Sequence, residues 1–115
     1  MKKIKIGILG MGYVGLPLTL ALQKYYDVYA YDVDIKKISE LKNNYDRNNQ
    51  FSEKKIKLAK NVKYFNNING LKNCNVYIIA VPTPVKKNKL PDLNLIKKAT
   101  YDVAKILSRG NIVIY

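Results

Sequence analysis

A glycine-rich segment near the amino terminus has the residue types and spacing of a phosphate-binding loop. It follows an apolar stretch directly, and helical spacing of apolar residues begins at its end. In such a loop one glycine permits the tight turn out of a strand, a second lets a diphosphate approach the backbone, and a third lets the helix pack closely on the strand. The helix amino terminus offers N–H groups and partial positive charge to an anion. The predicted diphosphate site comprises Gly10, Met11, Gly12, Tyr13, Val14 and Gly15. A strand-to-helix turn that binds nothing is the alternative.

An acidic residue stands where a dinucleotide site needs one. Asp32 lies 22 residues after Gly10, at the end of the second predicted strand. A carboxylate there accepts hydrogen bonds from the ribose 2′-OH and repels a 2′-phosphate, so NAD is the expected cofactor rather than NADP. Asp34 is the alternative ribose ligand, but it stands where the next helix needs an N-terminal cap. The spacing therefore favours Asp32.

Two prolines mark a second candidate region, at the end of the fourth predicted strand. Pro82-Thr83-Pro84 stops that strand beside the carboxyl end of the first strand, where ligands bind in doubly wound sheets. Because the prolines fix the loop, we expect Thr83 to present its backbone and hydroxyl at a defined place. A plain strand-ending turn is the alternative.

Groups that could act in catalysis are scarce. The chain has no histidine and one cysteine, Cys74. No basic neighbour is placed to activate this thiol, so we expect a packing residue rather than a nucleophile. The sequence predicts no catalytic residue and no metal site within the chain.

Alternating strand and helix patterns must position these residues. We expect strands at 4–9, 28–31, 62–65, 76–81 and 112–115, with a helical turn around Leu71. Four helices are expected, at 14–24, from Asp34 as N-cap through Leu41, from Ser52 to about residue 60, and at 93–108 with Gly110 as its stop. Val14, Leu18, Ala21 and Leu22 share one face of the first helix at helical spacing, and the second helix carries Ile35, Ile38 and Leu41. The last helix is expected to bury Ile96, Ala99, Val103, Ile106 and Leu107. This order predicts one domain over residues 1–115, a Rossmann-type doubly wound parallel α/β sheet with strand order 3-2-1-4-5.

Composition excludes several classes of protein. Of the 115 residues 48% are hydrophobic, which is too many for a disordered tail, and no apolar run is long enough to span a membrane. The net charge is +13, but only two of the 21 basic residues are arginines, and the lysines are scattered. Solvated lysine faces are expected rather than a nucleic-acid site, since nucleic-acid sites cluster basic residues. A further interpretation of the net charge is that it attracts an anionic cofactor or partner. A single cysteine and no cleavable leader are typical of a cytoplasmic protein.

With these features in place, the sequence resembles the N-terminal domain of the UDP-glucose/GDP-mannose dehydrogenase family. The similarity rests on GILGMGYVGLPLTLAL, YAYDVDIKKISELKN, YDRNNQ, NCNVYIIAVPTPVKKNKLPDLNLIKKAT and GNIVIY, which cover nearly the whole chain. The form PTPV…PDL is most similar to the branch that oxidises UDP-N-acetylhexosamines, such as the UDP-N-acetylglucosamine and UDP-N-acetylgalactosamine 6-dehydrogenases of capsule and O-antigen synthesis.

The resemblance implies a function for a longer protein. Family members oxidise the sugar C6 alcohol to a carboxylate with two NAD through a covalent cysteine intermediate, and they dimerise through a central domain. Their Glu-Ser-Thr segment would start right after Tyr115, and their catalytic lysine, asparagine and cysteine lie further on, so the present chain alone is expected to be inactive and weakly self-associating or monomeric. The resemblance places Lys37 near the ribose, and Val81, Pro82 and Thr83 beside the nicotinamide. Relatives read Gly-x-Asp-x-Thr-x-Glu where this chain has Asn44, Asp46, Asn48 and Gln50.

Two alternatives remain open at this point. The cofactor domain of a 3-hydroxyacyl-CoA or 6-phosphogluconate type dehydrogenase shares the glycine loop but not AVPTP…PDL. A basic nucleic-acid or partner-binding module would have a Rossmann shape without catalysis. The sequence does not fix which UDP-sugar is used, because no sugar pocket is expected in this domain.

Overall fold

The sheet at the centre of the molecule is parallel and has five strands. The structure is a computed structural model that describes residues 3–115. The strands are β1 (Lys5–Leu9), β2 (Asp27–Tyr31), β3 (Val62–Phe65), β4 (Val76–Ile79) and β5 (Ile112–Ile114), in the spatial order β3-β2-β1-β4-β5. All four pairings are parallel. The predicted fold and strand order are confirmed.

Helices cover both faces of this sheet. They are α1 (Gly15–Leu22), α2 (Ile35–Lys42), α3 (Glu53–Leu58) and α4 (Asn94–Ala104), with a 3-10 turn at Ile68–Leu71. Ile6 and Ile8 of β1 pack in a core with α1, α2 and α3, whereas Leu9 packs in a second core with the 3-10 turn and α4. Adjacent strand residues point to opposite faces, so a central strand buried on both sides must be apolar throughout.

Side-chain caps fix the starts of two helices where the sequence placed them. The Asp34 carboxylate accepts a hydrogen bond from the backbone N–H of Lys37 at 3.0 Å. The Ser52 hydroxyl accepts one from the N–H of Lys55 at 3.2 Å. Each bond satisfies a donor that the first helical turn leaves without a partner.

The prediction for α1 is confirmed only in part. Leu18 and Leu22 are half-buried and pack against the core, but Val14 is 67% exposed and Ala21 is also exposed. The buried face is formed by Leu16, Thr19 and Leu20. Nearly every residue of GLPLTLAL is apolar, so spacing alone does not distinguish one face from another. The close approach of Gly15 to β1 sets the face that is buried.

The end of α4 also differs from the prediction. The helix stops at Ala104 rather than Ser108, so Leu107 is not held inward by helical spacing and is 46% exposed. Gly110, at φ +88°, belongs to the turn before β5, in which the N–H of Asn111 donates to the Ser108 carbonyl. In α2, Ile35 is likewise exposed, while Ile38 and Leu41 are buried as predicted. Strand β4 ends at Ile79, two residues early, although the Ala80 N–H still donates to the Leu9 carbonyl.

None of the helices within residues 3–115 combines the length and the apolar character needed to cross a bilayer.

Candidate functional site

A cleft of about 760 Å³ opens at the carboxyl ends of β1, β2 and β4. Parallel strands with helices on both faces leave a crevice where the strand order reverses, here between β1 and β4. The cleft wall is formed by Leu9, Gly10, Gly12, Tyr13, Val14, Tyr31, Asp32, Val33, Lys37, Arg47, Asn48, Ile79, Ala80, Val81, Pro82, Leu95, Lys98, Ala99 and Asp102. Most of the residues singled out in the sequence therefore meet at one place.

Two glycines of the loop are required by the protein itself. Gly10 adopts φ +102°, which L side chains rarely adopt, and a Cβ there would lie 2.9 Å from the Ala80 carbonyl oxygen. A Cβ on Gly15 would clash with the Gly10 carbonyl oxygen, so only glycine lets α1 start this close to β1. These contacts agree with the tasks that the sequence assigned to Gly10 and Gly15.

Gly12 has a different explanation. Its φ is not positive, and a Cβ added there would meet nothing within 4 Å. The protein's own packing therefore does not require glycine at this position. Within residues 3–115 the backbone N–H groups of Gly12, Tyr13 and Val14 donate to no protein acceptor. Free N–H groups around open space at the start of a helix fit the diphosphate of a dinucleotide.

Met11 is placed differently from its neighbours in the loop. Its side chain is 1% exposed, and the Thr19 hydroxyl donates to its sulfur at 3.5 Å. Its backbone N–H donates to the Asp32 carboxylate at 2.8 Å. Met11 therefore lies beneath the cleft and joins the glycine loop to the acidic residue after β2. Tyr13 and Val14, 69% and 67% exposed, stand at the cleft mouth.

Asp32 is held at the floor of the cleft. Besides the bond from Met11, it accepts a hydrogen bond from the backbone N–H of Asp34 at 2.9 Å. The Lys37 ammonium lies 3.5 Å from the same carboxylate oxygen that Met11 contacts. The side chain is 11% exposed, so the carboxylate reaches the cleft through a small opening. Each carboxylate oxygen has two lone pairs, which leaves capacity for a ribose hydroxyl.

Asp34 is engaged elsewhere. Its carboxylate caps α2 through Lys37 and also accepts a hydrogen bond from the Arg47 guanidinium at 3.0 Å. The hydrogen bond from the Lys37 backbone, followed by the charge of Arg47, lowers the pKa of this carboxyl below its usual value. Asp34 does not line the cleft, and Asp32 does.

The polar loop after α2 contributes a part of the site that sequence reasoning missed. The buried Asp46 carboxylate accepts hydrogen bonds from the backbone N–H groups of Asn48, Gln50 and Phe51 at 3.0, 2.8 and 3.1 Å. This arrangement aims Arg47, which also donates to Glu40 at 2.7 Å, and Asn48 toward the cleft. The signal in the sequence is Asp46, since a carboxylate followed by short polar residues is typical of such turns.

The region after β4 fits its prediction in part. Val81 is half-buried, and both Val81 and Pro82 line the cleft. Thr83 is exposed and is not part of the cleft wall. A contact between Thr83 and a cofactor stays a prediction.

Helix α4 supplies a second part that the sequence did not reveal. Leu95, Lys98, Ala99 and Asp102 face the cleft. The Tyr31 hydroxyl, one residue before Asp32, donates to Asp102 at 3.4 Å. Burial, together with the negative charge of Asp102, raises the pKa of Tyr31 to about 12.

Cys74 lies outside the cleft, in the core beneath α4. It is 4% exposed, and burial raises the pKa of its thiol to about 12. A thiol that stays protonated is a poor nucleophile, in line with its predicted packing role.

Comparison with known proteins agrees with this geometry. A sequence profile for the UDP-glucose/GDP-mannose dehydrogenase family, NAD binding domain, matches residues 4–115. The chain is 44% identical over 113 residues to the UDP-N-acetyl-D-glucosamine 6-dehydrogenase of Salmonella typhi, covering 98% of this chain and 27% of that protein. It is 42% identical over 110 residues to Protein CapL of Staphylococcus aureus, covering 96% and 26%. The chain thus spans about a quarter of the length of these relatives.

Solved structures show the same fold. The structure of UDP-D-ManNAc dehydrogenase from Pyrococcus horikoshii matches with a TM-score of 0.88 at 30% identity, covering 96% of this chain and 27% of that one. The (S)-3-hydroxybutyryl-CoA dehydrogenase of Ralstonia eutropha matches with a TM-score of 0.67 at 16% identity, covering 97% and 40%, and shares the fold alone. The sequence left open the cofactor domain of a 3-hydroxyacyl-CoA or 6-phosphogluconate type dehydrogenase, and the profile match favours the UDP-glucose/GDP-mannose family over both. The chain belongs to the UDP-glucose/GDP-mannose dehydrogenase family, of which it is the NAD binding domain.

Proposed function

We propose that this domain positions NAD for a longer nucleotide-sugar 6-dehydrogenase that oxidises the C6 alcohol of a UDP-N-acetylhexosamine or UDP-hexose to a uronic acid, for polysaccharide precursor synthesis. The domain would extend over residues 1–115, with the sugar site and the catalytic groups elsewhere in the longer protein. The family membership and the 44% identity to a UDP-N-acetyl-D-glucosamine 6-dehydrogenase support this substrate class. A homodimer in the cytoplasm belongs to the same proposal and rests on the family resemblance.

The proposal assigns a role to each group of residues in the cleft. The N–H groups of Gly12, Tyr13 and Val14 bind the diphosphate, Asp32 with Lys37 beside it binds the adenosine ribose, and the wall around Val81 borders the nicotinamide half. When bound, NAD accepts a hydride from the carbon being oxidised. Conversion of an alcohol to a carboxylate removes four electrons, so each sugar needs two NAD. Counting the NADH that the longer protein forms per UDP-sugar tests this stoichiometry.

The observation that carries the proposal is the joint position of an open Gly12 and a buried Asp32 in one cleft. We expect the chain to bind NAD in clear preference to NADP, because Asp32 repels a 2′-phosphate. Asp32→Ala should weaken NAD binding by roughly 1.5–3 kcal/mol, the range for a hydrogen bond to a charged group. Isothermal titration calorimetry with both dinucleotides measures this.

A matched control is available on the same strand. Asp27 stands at the opposite end of β2 and forms an exposed ion pair with Lys3 at 2.8 Å. Asp27→Ala removes the same charge without touching the cleft and should leave NAD affinity unchanged. Equal affinity of the unmodified chain for NAD and NADP would contradict the assignment of Asp32.

A further inference from the structure

Asp102 is a buried carboxylate on the wall of the cofactor cleft. It is 3% exposed, although its helix, α4, is otherwise largely solvent-facing. Burying a carboxylate costs free energy unless the charge is paired and hydrogen-bonded. Replacing a buried ion pair by well-packed apolar side chains is often neutral or stabilising, so stability alone does not account for a carboxylate at this position.

The pairing of Asp102 leaves one oxygen with spare capacity. The Lys98 ammonium lies 2.8 Å from Oδ1, and the Lys105 ammonium lies 3.8 Å from the same atom. Oδ2 has a single donor among residues 3–115, the Tyr31 hydroxyl, at the long distance of 3.4 Å. A carboxylate oxygen accepts two hydrogen bonds, so Oδ2 can take a further and better one.

The place of this carboxylate relative to the ribose site is fixed by Tyr31. That residue directly precedes Asp32, and its side chain reaches from the end of β2 to Asp102. The cleft wall includes apolar residues from two elements, Val33 after β2 and Leu95 and Ala99 of α4. A flat base attached to a ribose on Asp32 would pack against this apolar wall, with its edge toward α4.

The polar groups at that edge are an acceptor and a donor side by side. Adenine presents an amino group, which donates, next to a ring nitrogen, which accepts. Asp102 accepts, and Lys98 donates and also lines the cleft. We propose that Asp102, with Lys98 beside it, recognises the amino-bearing edge of the adenine of NAD and makes this site selective for an adenine dinucleotide. This inference rests on the NAD site proposed above.

Replacing adenine by hypoxanthine tests the contact directly. Nicotinamide hypoxanthine dinucleotide has a carbonyl in place of the amino group and an N–H in place of the adjacent accepting ring nitrogen, and the rest of the ligand is the same. We expect calorimetry to show that the chain binds NAD at least about tenfold more tightly than this analogue. A difference of this size corresponds to the loss of a hydrogen bond to a charged acceptor. In Asp102→Asn the amide can turn its NH₂ toward a carbonyl, so the preference should fall to within about threefold.

Lys105→Gln is the matched control. It removes a cation near the same oxygen of Asp102, but Lys105 is not part of the cleft wall. This variant should keep the full preference for NAD over the hypoxanthine analogue. A merely structural role of Asp102 would change the affinity for both dinucleotides equally and leave their ratio as it is.

The outcomes separate this inference from the proposed function. Binding of NAD with an unchanged ratio in a folded Asp102→Asn variant overturns the base contact and leaves the NAD site standing. Equal affinity of the unmodified chain for the two dinucleotides also overturns the base contact. This measurement does not depend on whether Asp102→Asn folds. Failure of the unmodified chain to bind either dinucleotide overturns both proposals.

Discussion

The Asp32 carboxylate, for which we propose a ribose contact, is held in place by the protein itself. Two backbone N–H groups, from Met11 and Asp34, hold its two oxygens, and Lys37 stands next to the carboxylate. Ordering a side chain on binding costs conformational entropy, so a carboxylate that is already held binds at lower cost. The bond from Met11 also connects the proposed ribose site to the glycine loop, because it joins the end of β2 to the residue between Gly10 and Gly12.

Two buried tyrosine hydroxyls differ in their hydrogen bonding. The Tyr64 hydroxyl is buried and has no hydrogen-bond partner among residues 3–115, whereas the Tyr77 hydroxyl donates to the Leu71 carbonyl at 2.8 Å. Burial raises the pKa of both to about 12. Tyr64→Phe should raise the free energy of unfolding by up to about 1 kcal/mol, because a desolvated hydroxyl without a partner is removed. Urea unfolding followed by circular dichroism measures the change.

Tyr77→Phe is the control for this prediction. It removes the same atom but leaves the Leu71 carbonyl without its donor, and it should lower the free energy of unfolding by about 1 kcal/mol. Equal and same-signed effects of the two substitutions would show that the Tyr64 hydroxyl is satisfied.

At the level of elements, we expect the glycines of the loop to have separate tasks in folding and in binding. Gly15→Ala should destabilise the domain by about 3 kcal/mol or prevent folding, because its Cβ would clash with the Gly10 carbonyl oxygen. Gly12→Ala should change stability by no more than about 0.5 kcal/mol, since nothing lies within 4 Å. It should nevertheless weaken NAD binding about tenfold or more, because a methyl group would occupy the space of the diphosphate.

Thermal melts and calorimetry on both variants separate the two tasks. A Gly12→Ala variant that binds NAD normally would show that the diphosphate does not approach this residue. A Gly15→Ala variant as stable as the unmodified chain would show that α1 can shift away from β1 at little cost.

At the scale of the whole molecule, one edge of the sheet exposes apolar side chains. Among residues 3–115, β5 pairs only with β4, and Ile112, Ile114 and Tyr115 are 57%, 45% and 68% exposed. An apolar edge strand with free backbone groups favours pairing with another chain. We therefore expect the 115-residue chain to self-associate weakly, with a weight-average mass in sedimentation equilibrium that rises with concentration.

A positive charge on β5 should weaken this self-association. Ile114→Lys places this charge on β5 and should lower the self-association. Tyr25→Lys adds the same charge at a site that is 79% exposed and outside the strands, and it should leave the self-association unchanged. Strictly monomeric sedimentation at high concentration, with strong amide-exchange protection across β5, would contradict the prediction.

The features that depend on neighbours along the chain could be predicted from the sequence. The glycine loop, Asp32 and the Asp34 cap follow from local spacing, since a strand, a turn and a helix start each have a short signature. Strand order followed from the alternation of strands and helices, which is typical of a doubly wound sheet. The glycine positions are informative because a tight turn and a close helix contact exclude other residues whatever the rest of the chain does.

Which distant residues share the cleft depends on how the elements pack in three dimensions. Lys98 and Asp102 lie about 70 residues beyond Tyr31, and no local pattern shows that α4 packs its polar side against the end of β2. Arg47 reaches the cleft because Asp46 folds its loop back, and a uniformly apolar α1 took its orientation from the contact of Gly15 with β1. Each of these depends on how separate elements pack together, and packing depends on shape and volume, which sequence spacing does not encode.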